Sequence, residues 1–357
     1  MKIGIPKESQ DNRVAMVPDT MKKLKSENVT FWVEKGAGDK ASLPDAAFEE
    51  SATITNRDTI FKDSAIIVTV TPLSETELAK VKKGTLLISM FAPYFDDSIT
   101  GKLKEHGLQG VSMDMIPRTT LAQSMDILSS MAAIAGYKAV LTAASHLPRY
   151  FPMMITAAGS IRPAKVLILG AGVAGLQAIA TARRLGAMVE AFDVRKAAKE
   201  EVESLGAKFV EVEGAADDTS AGGYAVEQSE DYIKRQQAEV QNRASKADVI
   251  ITTAQVRGRK APILLPTATV DKMKTGSVVV DLASSTGGNC ELSKDNEIVI
   301  HNGVKIIGNS ALASDMPQDA STLFSNNVLN FLKLIIKEGE MVLDMDNEIV
   351  KSALITG

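Results

Sequence analysis

The chain has 357 residues, of which 45% are hydrophobic and 24% charged, and its net charge is −4. That length suits two domains and that composition a soluble globular protein, while the negative balance argues against a general nucleic-acid-binding surface. One cysteine, Cys290, excludes an internal disulfide and fits a reducing compartment; the three histidines (His106, His146 and His301) are too scattered for a metal site.

The opening MKIGIPKESQ lacks the apolar core of a signal peptide. Residues 2–5, 29–33, 65–70, 85–90 and 110–113 are short apolar runs that read as strands. Helical patterns lie among them at 20–27, 75–81 and 97–106. Such alternation implies βαβ units and a mostly parallel sheet with right-handed crossovers.

The run PRTTLAQSMDILSS at 117–130 groups Arg118, Gln123, Asp126 and Ser129. Asp126 and Ser129 could share one helix face at i, i+3. Arg118 offers a bidentate fork to a carboxylate or amide oxygen, and Gln123 a donor and an acceptor suited to a carboxamide. A solvated loop with a helix cap at Ser124 explains the same residues equally well. A long helical pattern at 121–144 connects this region to the next.

The second half begins near Ile161 with the most informative segment, KVLILGAGVAGLQAIATARRLGAMVEAFDVR. Residues 166–169 form an apolar run suited to a buried parallel strand. Gly170, Gly172 and Gly175 fit G-x-G-x-x-G: one for a tight turn, one for pyrophosphate approach, one for helix-on-strand packing. Val173 and Ala174 open the helix whose free N–H groups and dipole would face the phosphates. Arg183 and Arg184 suit its C-terminal end, and Gly186 can stop it. A strand at 188–192 delivers Asp193 where a ribose-binding acid is expected, followed by Val194 and Arg195. A carboxylate there favours NAD over NADP; the neighbouring Arg195 works against that preference, or is a solvated surface charge. A phosphate-free glycine turn in an ordinary α/β domain is the alternative. Residues 166–182 are also the most apolar stretch, interrupted by Gln177 and unconvincing as a membrane span.

Further strands read at 208–212, 248–252, 277–282 and 304–307. Between the first two lies EGAADDTSAGGYAVEQS at 213–229, longer than the connections of about 2–6 residues usual in α/β domains. Gly223 and Tyr224 make it either a hinged lid or docking element, or a surface insertion. A final helix at 319–338 carries Leu323, Phe324, Val328, Phe331, Leu332 and Ile335 on one stripe. The expectation is an α/β protein of two Rossmann-like domains with mostly parallel sheets and a cofactor cleft between them. One domain comprises residues 1–127 plus 314–357 and the other, NAD(H)-binding, residues 128–313. No Ser/His/Asp or Cys/His nucleophile set is present, and hydride transfer needs none, because the nicotinamide carries the chemistry.

Four separate segments, in order, resemble domain I of the proton-translocating nicotinamide nucleotide transhydrogenases. They are GIPKESQDNRVAMVP, PRTTLAQSMDILSSMAAIAGYKAV, GSIRPAKVLILGAGVAGLQAIATARRLGAMVEAFDVR and VVVDLASSTGGNCE. The likeness runs from Met1 to about Gly357, and the wider relatives are alanine dehydrogenases. The resemblance implies a Re/Si-specific transhydrogenase component that binds NAD(H) and is active only with its partners. Hydride would pass directly from NADH to NADP(H)-binding domain III, while a membrane domain II couples transfer to proton translocation. It further implies a homodimer held at the cytoplasmic face of a membrane, or the mitochondrial matrix face in a eukaryote, touching the membrane only through the complex. The family's Arg-Gln-Asp loop falls on Arg118, Gln123 and Asp126, with Ser129 beside it. Its mobile loop with a tyrosine falls on Gly223 and Tyr224. Its nucleotide motif falls on Gly170, Gly172, Val173, Ala174, Gly175 and Asp193.

Alanine dehydrogenases differ at informative positions. Where that family has a substrate lysine, histidine and aspartate, this chain has Val70, Ala92 and Ser285, leaving only Arg13 of the keto-acid set. Valine and alanine can neither bind a carboxylate nor move a proton. Three readings therefore compete: transhydrogenase component, stand-alone amino-acid dehydrogenase, and NAD(H)-sensing module.

Overall fold

The computed structural model describes residues 1–24, 28–212 and 230–357. It divides into two compact units, Met1–Met131 with Ala313–Gly357, and Ala132–Leu312.

The first unit is built on β1 (Lys2–Ile5), β2 (Thr30–Glu34), β3 (Ala52–Thr55), β4 (Ile66–Val68), β5 (Leu86–Ser89) and β6 (Gln109–Ser112). All pair in parallel in the order β3-β2-β1-β4-β5-β6. The connecting helices are α1 (Pro18–Lys22), α2 (Asp45–Phe48), α3 (Arg57–Asp63), α4 (Glu75–Leu78) and α5 (Ser98–Glu105). β4 and β5 are buried along their whole length, as parallel strands covered on both faces must be. Ile60 and Phe61 of α3 pack with Ile67, Leu87, Leu103 and Leu108 over one face. Among these elements β3, α2 and α3 escaped the sequence pattern. β3 is a four-residue edge strand, ATIT, whose threonines hide any apolar run, and α3 is a helix capped by Asn56 accepting from Thr59 N–H. The helix expected at 20–27 is confined to α1 with its Pro18 start, and residues 25–27 lie outside the described residues.

α6 (Ile127–His146) spans the boundary between the units. It begins six residues after the expected start, because Thr120–Met125 winds as a 3₁₀ turn instead. Among the described residues it is the one helix long and apolar enough to cross a membrane, yet its Ala139, Val140 and Ala143 are fully buried in the second unit's core.

After a separate two-stranded hairpin, β7 (Met154–Thr156) and β8 (Gly159–Ile161), the second unit holds β9 (Lys165–Leu169), β10 (Met188–Phe192), β11 (Lys208–Phe209), β12 (Val249–Thr252), β13 (Val278–Asp281), β14 (Glu297–His301) and β15 (Val304–Gly308). Their order is β11-β10-β9-β12-β13-β15-β14, parallel except β14. The edge strand β14 was not expected, although Asn302-Gly303 (φ 48° and 78°) is the two-residue turn that closes such hairpins. Helices α7 (Val173–Arg184), α8 (Ala198–Ser204), α9 (Glu230–Ala244) and α10 (Thr267–Val270) complete the layers. Successive residues of β9 alternate between cores: Val166 and Ile168 on the α7 face, Leu167 and Leu169 on the opposite face. Each such fully buried side chain contributes about 1.5–3 kcal/mol relative to exposure, which fixes the register of the strand that leads into the glycine turn.

α11 (Pro317–Ile335), the β16–β17 pair (Ile336–Lys337 and Glu340–Met341) and α12 (Glu348–Ala353) return the chain to the first unit. α11 buries Phe324, Val328, Phe331, Leu332 and Ile335, the stripe read from the sequence, while Leu323 of that stripe is 39% exposed.

Candidate functional site

In the second unit the strand order reverses between β9 and β12, so the loops after these strands diverge and leave a crevice at their C-terminal ends. Gly170 ends β9 with φ 103°, a conformation that glycine adopts without strain, and its N–H donates to Phe192 O at 2.8 Å. A methyl at Gly170 would lie 2.5 Å from Thr253 Oγ1. Gly172 caps α7, and a methyl there would meet nothing within 4 Å, so its backbone faces open space. A methyl at Gly175 would fall 1.9 Å from the Gly170 carbonyl oxygen, so helix and turn touch there. The three glycines thus have three separate geometric roles: a left-handed turn, an open backbone and close packing of helix on turn. Val173 and Ala174 form the first turn of α7, with Val173 44% exposed.

Asp193 follows β10, and its Oδ2 accepts from Ala171 N–H of the glycine turn at 2.8 Å. Oδ1 accepts from Arg195 N–H at 2.8 Å, and the Arg195 guanidinium donates to both oxygens. Burial opposes ionisation of Asp193, but the Arg195 hydrogen bonds, the Ala171 N–H and the Arg195 charge prevail and hold its carboxyl below the usual range. Val194 is 65% exposed beside it.

Four further residues shape this end of the sheet. Gly136 lets α6 approach α7: a methyl there would lie 2.1 Å from Ala174 O. Thr253 Oγ1 donates to Gly170 O at 3.0 Å. Asn289, fully buried, pairs with both backbone groups of Ala254 (2.9 and 2.8 Å) and donates to Pro262 O at 2.8 Å. Asp281, also fully buried, accepts from Thr252 Oγ1 and from the N–H groups of Ala283, Asn289 and Cys290. Asp281 ends an apolar strand as Asp193 does, and that shared pattern was the signal available in the sequence. Cys290 is inert: burial pushes its thiol up to about 11.

The junction residues lie in the first unit. Arg118 and Gln123 are exposed, Gln123 on the 3₁₀ turn. Asp126 is not on a helix face with Ser129; it precedes α6 and caps it, accepting from Ser129 N–H at 2.9 Å and Ser129 Oγ at 2.6 Å. The cap therefore belongs to Asp126 rather than Ser124, whose carbonyl instead accepts from Asn327 and Asn330 of α11 at 2.9 and 3.1 Å. The structure joins Asp126 to Ser129, and Gly170 through Gly175 to Asp193 and Arg195. Arg118 and Gln123 make no side-chain hydrogen bond to either group among the described residues. Gly223 and Tyr224 lie outside the described residues.

Arg13 has a partner of its own. Its Nε and Nη2 donate to Asp11 at 2.8 and 2.6 Å, its Nη1 lies 3.0 Å from Met131 Sδ, and its side chain is 10% exposed. Ser314 Oγ adds a bond to Asp11 at 3.0 Å. Val70 is buried, with its N–H given to Glu8 at 2.6 Å. Ala92 holds a left-handed φ of 49°, and Ser285 is exposed.

Two family models cover the chain and meet near the end of the first unit's N-terminal part, although the second also takes in residues 313–357. Residues 4–135 match the family described as alanine dehydrogenase/PNT, N-terminal domain, and residues 139–357 its C-terminal domain. An alpha-subunit polypeptide of the NAD(P) transhydrogenase of Rhodospirillum rubrum is 43% identical over 100% of this chain and 96% of its own length. A solved transhydrogenase structure from Sinorhizobium meliloti superposes with a TM-score of 0.91 at 41% identity, covering 99% of this chain and 98% of that one. Alanine dehydrogenase of Mycolicibacterium smegmatis is 26% identical over 82% of this chain and 75% of its own.

Proposed function

The chain belongs to the alanine dehydrogenase/PNT family, and from that premise we propose that it is the NAD(H)-binding component of a proton-translocating transhydrogenase. The observation that carries this reading over a stand-alone dehydrogenase is the Arg13–Asp11 fork. A keto-acid carboxylate would need that guanidinium, and Asp11 already holds it in a buried pair. Val70 and Ala92 supply neither charge nor proton.

The cradle fits a dinucleotide: Gly172 leaves room for phosphate oxygens, the first turn of α7 aims N–H groups at them, and Asp193 stands beside the glycine turn at the position of a ribose-binding acid. The bound nucleotide supplies a hydride. Arg118, Gln123, Asp126 and Ser129 would hold and orient the nicotinamide and its ribose; Gly223 and Tyr224, which belong to the same proposed site, lie outside the described residues. The net reaction is NADH + NADP⁺ → NAD⁺ + NADPH, the NADP⁺ being carried by domain III. Membrane domain II couples it to proton translocation, which makes this chain a peripheral member of a membrane complex. The hairpin β7–β8, with Ile155 76% and Met153 57% exposed, supports a homodimer.

Three assays test the reading: the chain alone with pyruvate, ammonia and NADH; the chain with NADH and NADP⁺; and the same with domain III added. Turnover in the third alone is expected. Turnover in the first would make the protein an amino-acid dehydrogenase, and binding of NADH without turnover in any would make it a sensor.

A further inference from the structure

Resting on the NAD(H) reading above, we propose that Arg195 gates the ribose-binding carboxylate and sets how strongly the site discriminates between NADH and NADPH. A carboxylate has about four acceptor positions. All four on Asp193 are taken: Oδ1 by Arg195 N–H (2.8 Å) and Nε (3.0 Å), Oδ2 by Ala171 N–H (2.8 Å) and Arg195 Nη2 (3.1 Å). Arg195 Nη2 also reaches Ala171 O at 3.3 Å, so the guanidinium is latched to the glycine turn as well as to the acid. A ribose 2′-OH has no free acceptor on Asp193 until the Arg195 side chain leaves.

It can leave. The Asp193 side chain is 8% exposed, whereas that of Arg195 is 44% exposed, so the acid is fixed and the guanidinium borders solvent. The backbone bonds from Ala171 and Arg195 N–H remain when the side chain swings out, keeping the carboxylate aimed. The displaced guanidinium stays within one side-chain length of the 2′ position, where it can fork onto a 2′-phosphate. Arg195 therefore works against Asp193 twice. It competes with the ribose hydroxyl of NADH, and it offsets the repulsion that Asp193 exerts on NADPH.

Calorimetric titration of NADH and NADPH into the wild-type chain, Arg195→Gln, Asp193→Asn and the double variant tests this. Arg195→Gln should bind NADH about two- to five-fold more tightly and NADPH more weakly, the scale of one partly exposed ion pair. Asp193→Asn keeps an oxygen for Ala171 N–H; it should bind NADH about ten-fold more weakly and NADPH more tightly. The double variant should lose that gain in NADPH affinity. An NADH-to-NADPH ratio unchanged or narrowed in Arg195→Gln overturns the gate while leaving NAD(H) binding intact. Binding of neither nucleotide by a wild-type chain with a cooperative thermal melt overturns both readings. An Asp193→Asn variant that melts early is replaced by the Arg195→Gln comparison, which decides alone.

Discussion

At the scale of single residues, the fate of Arg13 depends on Asp11. Burial alone would favour protonation of Asp11, but hydrogen bonds and charge from Arg13, with Ser314, hold its carboxyl below the usual range. Asp11→Asn would leave a guanidinium that is 10% exposed without its counter-charge, and stability should fall by about 3–5 kcal/mol in urea unfolding at pH 7. The sign with pH follows from the depressed value. The pair's contribution is complete above the unfolded-state carboxylate value of about 3.9 and is lost as pH falls below it, so the penalty of Asp11→Asn should shrink toward pH 3. A penalty constant from pH 7 to pH 3 would show that charge is not what Asp11 supplies. Gln123 belongs to the same scale. It is exposed and unpaired among the described residues, so Gln123→Asn should leave the melt unchanged and NADH affinity nearly so. Hydride transfer in the reconstituted complex should slow by about 10²-fold, because small misplacement at the reacting carbons is costly. An unchanged stopped-flow rate would reduce the junction turn to a structural element. Asp193 and Arg195 were legible because they follow a glycine motif at a set distance. Asn289 was not, because its partners are backbone groups of Ala254 and Pro262 that only the folded turns bring within reach.

At the scale of elements, the glycine turn makes two opposite predictions from residues three apart. Gly175→Ala places a methyl against a backbone carbonyl that cannot retreat without unseating α7, and should cost about 1–3 kcal/mol of stability. Gly172→Ala meets open space at an ordinary φ of −77°, and should cost no more than about 1 kcal/mol as a poorer helix cap. Its methyl would nevertheless fill the space kept for phosphate, lowering NADH affinity by about ten-fold, or roughly 1.4 kcal/mol. Thermal melts and NADH titrations of both variants check the pair; equal effects on stability would contradict the assignment of separate roles. The strands of the second unit were legible for the same reason that they are stable: continuous apolar runs bury both faces. β3 was missed because its threonines break the apolar run, whereas β14 carries the legible run Ile298-Val299-Ile300 and went unread between its flanking Glu297 and His301. The start of α6 was misplaced because Leu121, 85% exposed, continued the apolar period over a turn that does not use it.

At the scale of the whole molecule, alternating strands and helices announced an α/β protein with mostly parallel sheets, and both sheets have that form. The hairpin β7–β8 was not foreseen, since MITAAGSI carries neither alternation nor a standard two-residue turn pair. Its exposed Met153, Ile155 and Ile161 give the chain an uncharged apolar projection. Ile155→Asp should convert a dimer into a monomer in light scattering, with the thermal melt of the chain retained; a dimer that persists would place the interface elsewhere. The proposed reaction is direct hydride transfer from NADH on this chain to a nucleotide on another domain. NADH deuterated at both C4 positions tests it, with the chain, NADP⁺ and domain III mixed for one turnover and the products read by mass spectrometry. The account predicts label in NADPH, none in water, and no transfer when either polypeptide is omitted. Label released to solvent, or carried into alanine by the chain alone with pyruvate and ammonia, would contradict it.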